Sequence, residues 1–244
     1  MSHKYGLIKD KEDKRDFIYQ AKLGMTALPV KIDLRRSCPP IRDQGQLGSC
    51  TWEAMVGFYE TLAKHNHLKV VRLSVLFGYY NTRVIENSVN IDCGAELRDC
   101  WKSFQKTGDC PNLYWPYYIK RFKTKPSARA YLQSTYKVAT YNRIYTLEDI
   151  KLCLSDNHPV VIGFAVYSSF ESDHMAKTGI MPMPKPEEKC LGGHAVLVVG
   201  YDEVHQWLIV RNSWGNRWGA RGYFFMPYAF VTSDQVFDMW TATI

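Results

Sequence analysis

From Trp52 onward the apolar positions Trp52, Met55, Val56, Tyr59, Leu62 and Ala63 recur at steps of three and four, with Glu53, Glu60 and Lys64 off that face. This period predicts an amphipathic helix buried on one side. Ser74 is placed to cap a second helix carrying Leu76, Phe77, Tyr79 and Tyr80. A third follows Gly94, with Leu97, Trp101 and Phe104 on one face and Gly108 as its stop.

Beyond residue 135 the pattern changes. Residues 136–145 and 159–167 are rich in valine, isoleucine and aromatics, as strands are. Between them Thr146-Leu147-Glu148-Asp149 reads as a capping box opening a helix with Leu147, Ile150 and Leu154 on one side. Residues 194–200, 207–212 and 222–226 give three more short strands. Helices first and strands later predict an α+β fold with two lobes. A polar, charged segment over 1–27 precedes Leu28-Pro29, where the composition shifts. The division expected is an extension or pro-region (1–27), a mainly helical lobe (28–135) and a mainly β lobe (136–244).

Composition adds limits. At 244 residues, 46% hydrophobic and 23% charged, the chain can bury a large core and is not expected to be disordered. The net charge of +7 is spread out, and the one dense run, Lys120-Arg121-Phe122-Lys123-Thr124-Lys125, reads as a solvated loop; no nucleic-acid partner is expected. No apolar stretch is long enough to span a bilayer, so no membrane partner is expected either. The N-terminus lacks the apolar core of a signal peptide, which favours a cytoplasmic or virion-associated location. Of seven cysteines, six could pair if one is kept as a nucleophile, with no connectivity implied by the spacing. No zinc-type spacing occurs, and neither cofactor nor metal is expected.

The chemistry concentrates in three stretches. In Gln44-Gly45-Gln46-Leu47-Gly48-Ser49-Cys50 a glycine-rich turn delivers a thiol to a helix start, an environment that favours thiolate. In Gly192-Gly193-His194-Ala195 a histidine opens an apolar strand and can act as acid and base beside a thiol. In Asn212-Ser213-Trp214-Gly215 an asparagine can orient that imidazole without adding charge, and Trp214 can shield the bond from water. Gln44, six residues before Cys50, can donate to an oxyanion together with the Cys50 backbone N–H. His3, His65, His67, His158, His174 and His205 have no comparable surroundings and read as surface or structural.

On these three motifs, with Asn216-Arg217-Trp218-Gly219 and Arg221-Gly222-Tyr223, the chain resembles the papain-like, cathepsin-type cysteine proteases over roughly residues 28–227. The resemblance implies a helical left lobe facing a β-barrel-like right lobe across an active-site cleft. It implies Cys50 as nucleophile, His194 as acid/base, Asn212 as orienter and Gln44 as oxyanion donor. It places Trp214 as shield, Trp218 on the leaving-group side, and Gly48, Gly94 and Gly193 along the substrate path. Gly163 and Ala195 are expected at the second subsite, with Gly163 leaving it roomy. The substrates implied are proteins or peptides, and a monomer is expected.

The chain also departs from the family pattern. Leu47 stands where a cysteine is usual, so one family disulfide is absent, and Thr51 replaces the tryptophan that usually follows the nucleophile. These departures and the missing leader fit the bacterial or viral branches. Twenty-seven residues are too few for the usual helical prodomain, so a short autoinhibitory pro-region or a packed extension is expected. The short connection from Gly94 to Trp115-Pro116-Tyr117 leaves no loop to block the cleft, which points to an endopeptidase. The alternatives are a catalytically silent binding protein and a Cys–His acyltransferase or transglutaminase.

Overall fold

Helix α1 (Cys50–His65) starts directly after the Gly48-Ser49 turn and runs through the middle of the molecule. The structure, a computed structural model, describes residues 3–20 and 27–244. Two further helices pack beside α1: α2 (Val75–Ile85) and α3 (Leu97–Lys106). Ser74 caps α2 as its sequence predicts, its hydroxyl accepting from the Phe77 N–H at 3.1 Å. The crossing of α1 and α2 depends on Gly78, where an added Cβ would fall 2.1 Å from Trp52 Cε3. Trp52 is fully buried there and donates to Thr82 Oγ1 at 2.7 Å.

Glu53 and Glu60 are buried, against the expectation that they lie on an exposed face. The reason is that α1 is covered on both sides, by α2 and α3 on one and by the sheet on the other. Glu60 is compensated by a 2.5 Å ion pair with the buried Arg42, whereas Glu53 Oε2 has no partner among the described residues.

The other side of the molecule is a curled sheet. Its strands are β1 (Leu7–Ile8), β2 (Lys31–Asp33), β3 (Ala95–Glu96), β4 (Thr140–Ile144), β5 (Val160–Tyr167), β6 (Cys190–Asp202), β7 (Trp207–Arg211), β8 (Tyr223–Pro227) and β9 (Val236–Thr243). The order is β3-β1-β6-β5-β9-β4, with β2 and β7 also pairing with β6, and β8 with β7. Strand β5 is an unbroken apolar run because both its faces are covered. Strand β6 is buried from His194 to Asp202 and carries α1 on its surface, where a Cβ on Gly57 would lie 3.5 Å from Leu197 Cδ2. Helix α5 (Leu147–Ser155) begins at Thr146, which accepts from the Asp149 N–H at 3.0 Å. Short helices α4 (Ala128–Leu132), α6 (Asp173–Thr178) and α7 (Tyr228–Val231) fill the connections. The architecture is α+β, a helical layer facing a curled sheet.

The N-terminal segment is part of this body. Strand β1 lies between the two sides, parallel to β3 (Leu7 opposite Ala95) and antiparallel to β6 (Leu7 opposite Gly193). Behind it a buried charge network holds the segment down. Asp10 accepts from the Arg98 N–H at 3.0 Å, Trp240 Nε1 at 3.0 Å and Arg143 Nη1 at 2.8 Å. Arg143 also pairs with Asp238 at 2.5 Å, and Arg98 grips Asp16 with two bonds of 2.8 and 2.6 Å. Of the 1–27 segment, residues 1–2 and 21–26 lie outside the described residues.

The seven cysteines are all free thiols, so the six that could have paired do not. No described helix is long and apolar enough to cross a membrane.

Candidate active site

Cys50 is the first residue of α1 and fully buried. The backbone amides of Ala195 and Gly6 reach its thiol. The helix start was expected to lower the thiol pKa. Burial instead pushes it up to about 11, against the opposing pull of those N–H groups. The N-terminal segment takes part in this enclosure, since the Gly6 N–H is one of the groups that bond the thiol.

His194 is fully buried at the point where β6 enters the core. Its Nε2 lies 2.8 Å from Asn212 Oδ1, so the ring donates there, and Nδ1 has no hydrogen-bond partner among the described residues. The same Asn212 oxygen accepts from the Ser213 N–H at 2.8 Å, which fixes the amide with its oxygen toward the ring. Trp214 stacks on His194 with ring centroids 5.0 Å apart, and Trp218 packs edge-on against Trp214 at 5.0 Å. Desolvation lowers the imidazole pKa to about 4, outweighing the bond to Asn212. In this closed arrangement the pair is therefore thiol and neutral imidazole at neutral pH.

Gln44 is fully buried. Its Oε1 accepts from Ser213 Oγ at 2.7 Å, and its Nε2 donates to the Leu47 carbonyl at 3.0 Å and the Lys4 carbonyl at 3.1 Å. One amide thus joins the turn before Cys50, the loop after Asn212 and the N-terminal segment.

Residues 3–8 fill the groove that the glycines define. A Cβ on Gly6 would sit 1.9 Å from the Gly48 carbonyl oxygen, and one on Gly94 would sit 2.1 Å from the Gly6 oxygen. Gly94 adopts φ +88°, a conformation that favours glycine. Gly193 faces the Leu7 carbonyl, 2.7 Å from where its own Cβ would be. Leu7 occupies the space above Gly163, its Cδ2 only 2.4 Å from the place of a Cβ there, with the Phe237 ring on the same side.

His3, read from sequence as a surface or structural residue, instead stacks on Trp214 at 4.1 Å with the rings within 5° of parallel. The contact follows from the path of the segment through the groove, which no motif announces. Tyr5 packs edge-on against His194 at 6.0 Å. Three other residues escaped the sequence reading. Ser213 orients Gln44, although it sits inside the quoted Asn-Ser-Trp motif. Asp92 accepts from the Gly48 N–H at 3.1 Å and Tyr79 OH at 2.6 Å, and pairs with Lys4 at 2.6 Å. Glu53 lies one turn into α1. Each had a local signal: Ser213 its place in the motif, Asp92 its place two residues before Gly94, and Glu53 its place three residues after the candidate nucleophile. Among the described residues no group of three or more histidine, cysteine, aspartate or glutamate side chains could hold a metal ion.

With a thiol at a helix start, a histidine–asparagine pair on the facing strand and a glutamine behind the turn, the class defined is a thiol hydrolase. The chain matches the model of the papain family cysteine proteases over residues 28–234 and belongs to that family. It is 38% identical over 271 aligned residues to an uncharacterized peptidase C1-like protein of Acanthamoeba polyphaga mimivirus, covering 98% of this chain and 86% of that one. The solved structure of xylellain, a cysteine protease from Xylella fastidiosa, superposes with a TM-score of 0.91 at 37% identity, covering 98% of this chain and 95% of that one. Chymopapain of Carica papaya is 25% identical over 224 residues, which cover 86% of this chain but 57% of chymopapain. The viral and bacterial relatives agree with the branch that the sequence departures suggested.

Proposed function

We propose that this chain is a cysteine endopeptidase that works through Cys50, His194, Asn212 and Gln44 and is held closed by its own residues 3–8. The observation that carries the reading is the 2.8 Å His194 Nε2–Asn212 Oδ1 bond, which frees Nδ1 on the ring beside Ala195, whose N–H reaches the Cys50 thiol.

With the groove open to substrate, the thiol proton passes to His194 Nδ1 and the thiolate attacks the scissile carbonyl carbon. The carbonyl oxygen takes up the electron pair and is held by Gln44 Nε2 and the Cys50 N–H. The imidazolium then gives its proton to the leaving amine, the C–N bond breaks, and a thioester to Cys50 remains. Water, losing its proton to His194, attacks the thioester and releases the acid and the thiol. Asn212 keeps the ring oriented throughout, and Trp214 keeps water from that bond.

The closed form is inert for identifiable reasons. Lys4 contributes the carbonyl that occupies Gln44 Nε2, and burial leaves Cys50 and His194 uncharged. The segment also runs the wrong way for cleavage. Its side chain in the Gly163 space, Leu7, follows Lys4 in sequence, whereas a substrate residue in the second subsite precedes the scissile carbonyl. Leu7 further indicates that this subsite takes an aliphatic side chain of leucine size.

The test is hydrolysis of an N-terminally blocked peptide with leucine before the cleaved residue, by the intact chain and by the chain lacking residues 1–27. Cleavage by the shortened form that disappears in Cys50→Ala is expected. Refusal of every blocked peptide by both forms, with Cys50 alkylated normally, would overturn the endopeptidase reading in favour of a silent binder. Preference for an amine acceptor over water would point to acyl transfer.

A further inference from the structure

Behind the candidate catalytic residues, between the first turn of α1 and the end of β7, lies a small space lined by buried residues. It leaves about 10 Å³ for the centre of a water-sized sphere, near the threshold for one water molecule. Its walls include Glu53, Ala195, Arg211, Asn212 and Ser213. Two of those residues present complementary atoms that are buried and have no partner among the described residues: Glu53 Oε2, an acceptor, and Asn212 Nδ2, a donor with two hydrogens.

Both atoms need a partner. Asn212 uses its oxygen fully, accepting from His194 Nε2 and the Ser213 N–H, but no described residue engages its nitrogen. Glu53 is 5% exposed, its pKa raised to about 7 by desolvation; it feels the charges of Arg42, Arg211 and Arg72 and the opposing charge of Glu60, and Oε2 has no direct bond among the described residues. Buried polar atoms without partners, on two residues that line one water-sized space, are the setting in which a structural water is held.

We propose that Glu53 is a positioning residue of the active site. Through one trapped water its carboxylate accepts from Asn212 Nδ2 and holds the amide with Oδ1 turned onto His194. A rotation of the amide would bring a second donor against His194 Nε2–H and the Ser213 N–H; the Glu53–water link opposes that rotation from the nitrogen side. Drawing on the N–H also makes the amide oxygen a better acceptor, which favours the imidazolium that the reaction forms. Because a protonated carboxyl group retains a carbonyl oxygen, the link works in either state of Glu53. The inference rests on the reading of Cys50, His194 and Asn212 as the catalytic set.

Two substitutions separate this role from charge balance for the nearby arginines. Glu53→Gln keeps an acceptor and removes the charge; Glu53→Leu removes both and fills the space. Turnover of the blocked peptide, per active site titrated with an alkylating inhibitor, is measured in whichever form of the wild type is active. Positioning predicts kcat lowered about tenfold in Glu53→Leu with KM unchanged, and kcat in Glu53→Gln within about twofold of wild type. Equal kcat in Glu53→Leu and wild type overturns the proposal, as does a Glu53→Gln defect matching that of Glu53→Leu.

A second measurement is independent of activity. In the intact 15N-labelled chain, the Asn212 side-chain amide is identified by its loss in Asn212→Asp. It is expected to exchange slowly and to show a cross-peak to a long-lived water in wild type and Glu53→Gln, but not in Glu53→Leu. Absence of that water in wild type overturns the proposal. If the wild type cleaves no peptide in any form, the endopeptidase reading fails, while this experiment still decides whether Glu53 holds Asn212.

Discussion

The carbonyl of Lys4 accepts a 3.1 Å hydrogen bond from Gln44 Nε2, the donor proposed to stabilise the oxyanion of a substrate. The donor proposed for a transiently charged oxygen is thus engaged by a neutral one from the N-terminal segment. The bond is modest in itself, worth about 1 kcal/mol net. The segment is held by the sum of such contacts: the β1 pairings, Leu7 above Gly163, His3 on Trp214 and the Asp10 network.

At Gly6 the segment passes the enzyme with no room for a side chain. Any side chain there would have to pass the Gly48 carbonyl, 1.9 Å from the Cβ position, and a backbone obstacle cannot rotate away. Gly6→Val should lift residues 3–8 from the groove while leaving the body folded. Turnover of the blocked peptide by the intact Gly6→Val chain is expected to rise at least about tenfold over the intact wild type, since a clash of this kind costs about 1–3 kcal/mol or more. Unchanged turnover together with an unchanged Leu7 amide exchange rate would show that the segment does not limit access.

Cys50 should report the same opening chemically. With its pKa pushed up to about 11 in the closed chain, roughly one thiol in ten thousand is ionised at pH 7. Removing residues 1–27 restores solvent and leaves the α1 terminus to favour the thiolate. Iodoacetamide alkylation of Cys50 at pH 7, followed by peptide mass mapping, should be at least about 100-fold faster in the shortened chain. Similar rates in the two forms would mean that the thiol is not buried by the segment.

The main elements could be read from the sequence because their signals are local. The period of three and four after Trp52, the Ser74 and Thr146 caps and the apolar run of β5 each state their structure within a dozen residues. Strand β9 was missed because Asp238 and Thr241 interrupt its apolar pattern, and both are buried through partners distant in sequence, Arg143 and Pro159. Candidate site residues could be found where a motif carries them, as with Cys50, His194 and Asn212. An autoinhibitory or packed N-terminal segment was expected, but which of its residues fill the groove was not visible, because β1 has two residues and its fit depends on Gly48, Gly94 and Gly193 far along the chain. The state of the thiol was misjudged for the same reason. A helix start lowers a pKa locally, whereas the burial that raises it is set by the packing of the whole site, the remote N-terminal segment included.

His194 gives the closed chain a defined response to acid. Its pKa is lowered to about 4 from an ordinary 6.5, so between those values the unfolded chain binds a proton that the folded chain refuses. Its contribution to stability is complete above about pH 6.5 and is lost as the pH falls toward 4. The unfolding temperature of the intact wild type should therefore fall more steeply over that range than that of His194→Gln, which cannot titrate. Parallel curves for the two proteins would show that the imidazole is not held neutral by burial.

Arg143 ties the N-terminal segment to the sheet, and its loss should be felt there first. Its guanidinium bonds Asp10 at 2.8 Å and Asp238 at 2.5 Å, two carboxylates whose side chains are fully buried. Desolvation already raises both pKa values, that of Asp238 to about 6. Arg143→Ala leaves two buried negative charges facing each other, a defect of about 3–5 kcal/mol at neutral pH. Undocking residues 3–20 exposes Asp10 to water and relieves that defect without unfolding the core, so hydrogen exchange at the Leu7 and Ile8 amides should accelerate more than exchange in β5. An acid whose folded pKa is raised favours the folded state below its ordinary value and loses that contribution as the pH rises through the raised one. Arg143 lowers both pKa values, so without it they rise further. The defect in Arg143→Ala should therefore shrink as the pH falls, beginning above about 6, as protonation takes over from the missing cation. Uniform acceleration across the segment and β5 at pH 7, or a defect that grows in acid, would show that Arg143 does not act by neutralising these two carboxylates.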